Sequence, residues 1–300
     1  MKGNRNSSRG FSLALSALAA VAVSGQAAAF DIWSQSIAGV TNGSFIGTVG
    51  FEHRTDGGVT SAQMDQTWTG LDRNGAEQEM RFQGQTLTQS AFGRLKSYTA
   101  GTVTNSYYNE NNPKYFDWDT GTYDPEGSPT GLVSLGFAGF NDTLHYGGTL
   151  EAGYRARYIF HIEGQSVGYG TFASLSVSIA NNPYEDAFFI GAGNYNEIWA
   201  TQTYEINGIT PQDINVQFSS QFVLNTHEVD DGTTASGVAN FSSTVTLTGV
   251  EVVNANGELV GGWTLTSASG TNYPVPEPGT MAAVTIGLVS FARRRAKRKG

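Results

Sequence analysis

Four carboxylates fall within ten residues in Asp117-Trp118-Asp119-Thr120-Gly121-Thr122-Tyr123-Asp124-Pro125-Glu126. Gly121 and Pro125 bend such a stretch, and hard oxygen ligands on a bent loop are what a calcium ion takes. Asp117, Asp119, Asp124 and Glu126 are therefore candidate calcium ligands, and calcium is the one cofactor the residues offer. The spacing is not that of an EF-hand, because Gly121 stands at the fifth position and Ser128 at the twelfth, where a bidentate Glu is needed. The competing reading is a solvated acidic loop. The region is also aromatic: Tyr107, Tyr108, Tyr115, Phe116, Trp118 and Tyr123 lie within 17 residues. Rings beside carboxylates and amides suit sugar recognition, since ring faces stack and polar groups fix orientation. Tyr115, Trp118 and Tyr123 are the candidate stacking residues; alternatively the rings plug one end of a core.

Catalytic patterns are weaker. Gly164-Gln165-Ser166-Val167-Gly168 has the Gly-x-Ser-x-Gly spacing of serine hydrolases. That motif works as a strand-to-helix elbow, whereas Tyr169-Gly170-Thr171-Phe172 continues toward a strand. His53, His145, His161 and His227 are too far apart in sequence for a local zinc pair. Glu77 with Glu79, or Glu185 with Asp186, have the residue type for glycoside hydrolysis, but that chemistry depends on a separation in space. No catalytic residue is assigned.

The elements that must carry these groups read as strands. Tyr154, Ala156, Tyr158, Phe160 and Ile162 share one face, with Arg155, Arg157, His161 and Glu163 on the other. Ala173, Leu175, Val177 and Ile179 alternate with serines. Ile214, Val216, Phe218, Ser220, Phe222 and Leu224 alternate with Asn, Gln and Ser, and Val245 and Leu247 alternate with threonines. One wet and one dry face is the mark of antiparallel sheets. Asp56-Gly57-Gly58, Asn74-Gly75, Asn207-Gly208, Asp231-Gly232 and Asn256-Gly257 punctuate the strands, and the last is expected to close a hairpin between Val250–Val253 and Leu259–Val260. The expected fold is all-β, an antiparallel sandwich of jelly-roll type over residues 30–272, with residues 109–130 as an elaborated loop or a second domain.

The two ends differ from this middle. Met1 to Arg9 carries Lys2, Arg5 and Arg9 and no acid; Phe11 to Gly25 is apolar and small; Ala27-Ala28-Ala29 fits the Ala-x-Ala cleavage pattern. Residues 1–29 read as a secretory signal helix cut between Ala29 and Phe30, which implies the Sec machinery and signal peptidase as partners. At the other end, residues 273–300 hold Val275-Pro276-Glu277-Pro278, then the uncharged stretch 280–292, then Arg293, Arg294, Arg295, Lys297, Arg298 and Lys299. Prolines at 274, 276 and 278 force an extended chain. Thirteen residues of helix span about 20 Å, short of a roughly 30 Å hydrocarbon core, and the basic run is a cytoplasmic stop. This order resembles the PEP-CTERM sorting signal of exported bacterial proteins. The resemblance implies processing by an exosortase-type transpeptidase after transient inner-membrane anchoring, a final place at the cell surface or outside the cell, and an association with exopolysaccharide and biofilm. A plain C-terminal anchor is the alternative. The Thr-rich segment from Phe241 to Tyr273 is loosely similar to the terminal hairpin of β-rich PEP-CTERM ectodomains.

Charge and cysteine exclude further classes. Residues 30–275 hold 8 Lys and Arg against 25 Asp and Glu, a balance near −17, which is the wrong sign for nucleic acid. The absence of cysteine removes disulfides, thiol nucleophiles and thiolate metal sites together. A chain of this size buries enough apolar surface without staples. The expectation is a structural or adhesive exported protein that binds extracellular polysaccharide. The alternatives are a polysaccharide-active enzyme on the same scaffold and a calcium-dependent carbohydrate-binding module.

Overall fold

A computed structural model describes residues 30–41, 45–71, 77–105, 131–180, 185–206, 208–225, 229 and 233–275. The expected signal helix, the hydrophobic helix 280–292 and the expected loop 109–130 lie outside these residues. Among the described residues the elements are β1 (Asp31–Thr41), β2 (Phe45–Arg54), β3 (Thr60–Leu71), β4 (Glu77–Ala91), β5 (Arg94–Asn105), β6 (Gly131–Gly148) and β7 (Arg155–Gly168). They continue as β8 (Thr171–Ile179), β9 (Asp186–Ile190), β10 (Gly193–Ala200), β11 (Tyr204–Glu205), β12 (Gln212–Asn225), β13 (Thr233–Val253) and β14 (Trp263–Ser267).

The strands build two antiparallel sheets that face each other. One runs β2-β1-β6-β12-β8-β9, with β14 also on β6; the other runs β3-β4-β5-β13-β7-β10, with β11 also on β7. Within them, β6-β12-β8-β9 opposite β5-β13-β7-β10 is the strand order of an eight-stranded jelly roll. Strands β1 to β4 add two more to the same edge of each sheet. The chain passes between sheets at both edges, from β2 to β3 and from β9 to β10.

Periodicity explains the pairing. In β7 the residues Ala156, Tyr158, Phe160 and Ile162 are buried, and in β8 Ala173, Leu175, Val177 and Ile179 are buried, as their alternation requires. The inward phase of β12 joins them, with Phe218 meeting Phe241 edge to face at 5.2 Å between ring centroids. The hydroxyls of Tyr146 and Tyr158 both donate to the Gln212 Oε1 atom, which satisfies the polar end of this aromatic core. A second apolar cluster, with Met80, Phe82, Val103, Leu132 and Phe222, fills the other end of the sandwich.

Between the clusters the inward residues turn small and polar. Ser36, Thr60 and Thr88 form a buried hydroxyl triangle with edges of 3.0, 3.2 and 2.5 Å, and Ser97 meets Ser220 at 2.5 Å. From β4, Thr86 and Thr88 each donate to a main-chain carbonyl of β1, at Ile37 and Gln35, over 3.1 Å. Ser90 donates to the Trp33 carbonyl and accepts from the Gly139 amide at 3.0 Å. Side chains of one sheet reach the backbone of the other only where the sheets approach closely, and Gly101 and Gly136 make that approach possible. A methyl on Gly101 would overlap the Phe222 ring, and one on Gly136 would overlap Ser97 Oγ and lie 2.7 Å from Thr88 Cγ2.

One local expectation is revised. Asn254 to Gly257 does turn the chain, and the Val260 amide returns to the Val252 carbonyl at 2.9 Å. The returning arm makes a single bridge, Val253 to Leu259, and then leaves. Trp263–Ser267 crosses to the other sheet and pairs with β6 from Leu144 to Gly148, so Phe241 to Tyr273 is not one hairpin. Trp263 draws it across, burying its ring near Tyr146 with centroids 6.0 Å apart.

Gly136→Ala is expected to cost about 2 kcal/mol through overpacking, lowering Tm by roughly 4–8 °C for a domain of this size. A thermal melt checks this, and an unchanged melt would show that the sheets separate freely there.

Candidate functional site

The two ends of the described domain meet at one place on β6. The pairing of β1 with β6 begins at Asp31 opposite Asn141. The pairing of β14 on the same edge of β6 ends at Ser267 opposite Leu144, and the Ala268 amide still reaches the Thr143 carbonyl at 2.9 Å. Asp142 stands in the gap. It occupies the inward phase of β6 with Ala138, Phe140 and Leu144, and it is 1% exposed.

The carboxylate of Asp142 is filled by the segment after β14. Its Oδ1 accepts from the amides of Thr143 at 2.9 Å and Ser269 at 3.1 Å. Its Oδ2 accepts from the Ser269 hydroxyl at 2.5 Å and the Tyr273 hydroxyl at 2.7 Å. A buried carboxylate needs such donors, and hydrogen bonds to a charged acceptor are the strong ones. The Tyr273 ring stacks on Phe140 at 6.3 Å, and the Pro274 carbonyl accepts from the Val250 amide at 2.9 Å. Val275 packs, half-buried, against the main core. Phe30 leans on Phe92 at 6.2 Å, and Phe92 on Phe140 at 6.0 Å, so a row of rings links the first residues of the domain to the last.

Burial raises the Tyr273 hydroxyl well above the ordinary tyrosine value, and the neighbouring Asp142 carboxylate raises it further. Burial likewise raises Tyr146, Tyr158 and Tyr204. A raised folded-state value means that this stability is complete below the unfolded tyrosine pKa of about 10 and is lost as pH rises past it.

The other candidates resolve separately. Asp117, Asp119, Asp124, Glu126, Tyr115, Trp118 and Tyr123 lie outside the described residues, as do Ala27, Ala29, Pro276, Glu277, Pro278 and the basic run from Arg293 to Lys299. Ser166 is fully buried in β7 and donates to Thr171 Oγ1 at 3.0 Å. The chain turns at Tyr169-Gly170 straight into β8, so the Gly-x-Ser-x-Gly spacing forms no elbow. His161 Nε2 lies 2.7 Å from Asn196 Oδ1 on the outer face. Asp186 accepts from the Gln202 amide at 2.5 Å and from the Tyr204 hydroxyl at 3.0 Å, so it ties down the connection after β10. Among the described residues no group of three or more His, Asp or Glu is placed to hold a metal ion.

Sequence reading missed the Asp142 clasp. Its signal was an acid in the inward phase of an apolar strand, which a buried partner must explain.

Residues 274–298 match the PEP-CTERM protein-sorting motif. Its first residue, Pro274, is bonded to the domain through the Val250 amide, and the motif marks a chain sorted to the cell envelope or surface. No curated protein matches the chain. Among solved structures it is similar to a PA14 sugar-binding domain from RTX adhesin, at 10% identity, over 82% of this chain and 100% of that one, with a TM-score of 0.21.

Asp142→Ala leaves the Ser269 amide and the Tyr273 hydroxyl without a partner and is expected to cost about 3 kcal/mol. Hydrogen exchange at residues 268–275 should rise more than in β12 or β13; a uniform rise would mean that the clasp is no local unit. In the wild-type protein, Tm should stay level to about pH 9.5 and fall above about pH 10. A fall beginning near pH 8 would contradict the tyrosine assignment.

Proposed function

We propose that this chain is exported, held briefly in the inner membrane by its tail, and processed at Val275-Pro276-Glu277-Pro278 by an exosortase-type transpeptidase. The β-sandwich is then a non-enzymatic structural or adhesive component of the surface or extracellular matrix. One observation carries this reading. The sorting motif covers residues 274–298, and residues 268–275 are fastened to the domain through Asp142, the Val250 amide and the main core just ahead of the Pro-Glu-Pro segment. The chemistry of the ends adds to it. An N-terminal basic, apolar and Ala-x-Ala sequence suits Sec export and signal peptidase, and a basic stop after residues 280–292 suits retention. The acidic balance of the domain suits a soluble matrix protein.

Extracellular polysaccharide is the ligand this reading assigns. The connection between β5 and β6 supplies Tyr115, Trp118 and Tyr123 for stacking on sugar rings, and Asp117, Asp119, Asp124 and Glu126 for calcium.

The test is intact mass of the protein recovered from outside its native cells. A mass running from Phe30 to near Pro276, with or without an added group, is expected. A mass retaining Arg293 to Gly300 would make the tail an ordinary anchor and remove the matrix reading. Deleting Val275 to Gly300 should abolish surface display and leave the domain folded, at a cost of about 1 kcal/mol for the half-buried Val275 side chain.

A further inference from the structure

The domain has two ends along its strands, and its first and last described residues, Phe30 and Val275, lie at the same one. At that end lie Phe30, the β4–β5 turn at Phe92-Gly93, and Tyr273 to Val275, joined by the row of rings and the Asp142 clasp. At the other end the register places Thr41, Asn105, Gly131, Asn225 and Thr233. Gly131 pairs with Thr41 and with Asn225, and Asn105 pairs with Thr233. The connection between β5 and β6 starts and finishes there.

We infer that the precursor is held with the Phe30–Val275 corner toward the bilayer and the Asn105–Gly131 end outward, so that the membrane fixes which surface meets the matrix and which meets the sorting enzyme. This rests on the sorting reading and adds an orientation to it. The lengths decide the matter. The six residues from Pro274 to Gly279 reach at most about 21 Å when extended. The domain then extends roughly 34 Å further, ten steps along the strand from Arg94 to Thr104 at about 3.4 Å each. With the Asp142 clasp closed, so short a tether keeps the Phe30–Val275 corner the nearest tethered point and cannot lift it the roughly 34 Å needed for the domain to stand inverted with its far end on the membrane. On the N-terminal side Phe30 directly follows Ala27-Ala28-Ala29, so a tether there leaves from the same corner before cleavage. The orientation comes from tethering and not from adsorption. On the terminus side Asp56, Glu151, Glu185, Glu205 and Glu258 lie exposed against Arg54, Arg94 and Arg155, with Asp56 paired to Arg54 at 2.6 Å, so the balance there stays acidic and disfavours anionic lipid. The domain is therefore released, not retained, once its tail is cut.

The absence of cysteine makes a direct test available. Ala91→Cys lies exposed beside the Phe92 turn, and Thr234→Cys lies exposed at the far end opposite Thr104. Each full-length variant is labelled with a donor dye and reconstituted in phosphatidylethanolamine and phosphatidylglycerol vesicles carrying an acceptor-labelled lipid. Energy transfer should be several-fold higher from position 91 than from position 234, and removal of residues 276–300 should bring both to background. Equal or reversed transfer from a chain that floats with the vesicles overturns the orientation and leaves the sorting reading standing. A full-length chain that does not float with the vesicles overturns both. Unchanged transfer after removal of the tail overturns release by cutting.

Discussion

Everything in this domain depends on how closely the two sheets approach between β1, β4, β5 and β6. The hydroxyls of Thr86, Thr88 and Ser90 reach main-chain carbonyls of the facing strand, which is possible only over glycines and small polar residues. A hydroxyl buried without a partner would cost more than it contributes, so the contact specifies one sheet separation and one register. Aromatic residues pack on both sides of this narrow layer, with Phe140, Phe160, Phe218 and Phe241 toward the termini and Phe82 and Phe222 away from them. The wide and narrow parts of the sandwich are complementary: large rings fill the space that the hydroxyl layer leaves open.

That geometry delivers the chain ends to one corner. β1 and β14 lie in line on the same edge of β6, and Asp142 occupies the single step between them. A carboxylate in a dry position demands donors, and the residues after β14 supply them. The sorting motif then begins at Pro274, whose carbonyl is bonded to the Val250 amide.

The strands with one apolar phase are legible in the amino-acid pattern alone: β7, β8 and β12 bury the alternating residues expected of them, and jelly-roll order follows from how they pair. The β4 strand is not legible in the same way. Its inward residues near the turn are Thr86, Thr88 and Ser90, which read as a wet face, while Leu87 lies on the other side. Polarity follows the space available between sheets, and that space is a property of two strands far apart in sequence. The end of β13 misleads for a related reason. Asn256-Gly257 is a turn, but which strand the returning arm joins is decided by Trp263 finding a place beside Tyr146.

The character of the two ends, the sorting motif, the all-β class and the absence of thiol chemistry are all written in the linear chain. These are local or additive properties, carried by runs of residues or by counts. The folded arrangement alone makes Ser166 a buried core hydroxyl, turns Asp142 into a clasp, and brings Phe30 and Tyr273 to one corner. Those outcomes depend on pairs such as Asp142 with Tyr273, 131 residues apart, and no local pattern encodes a distance of that kind.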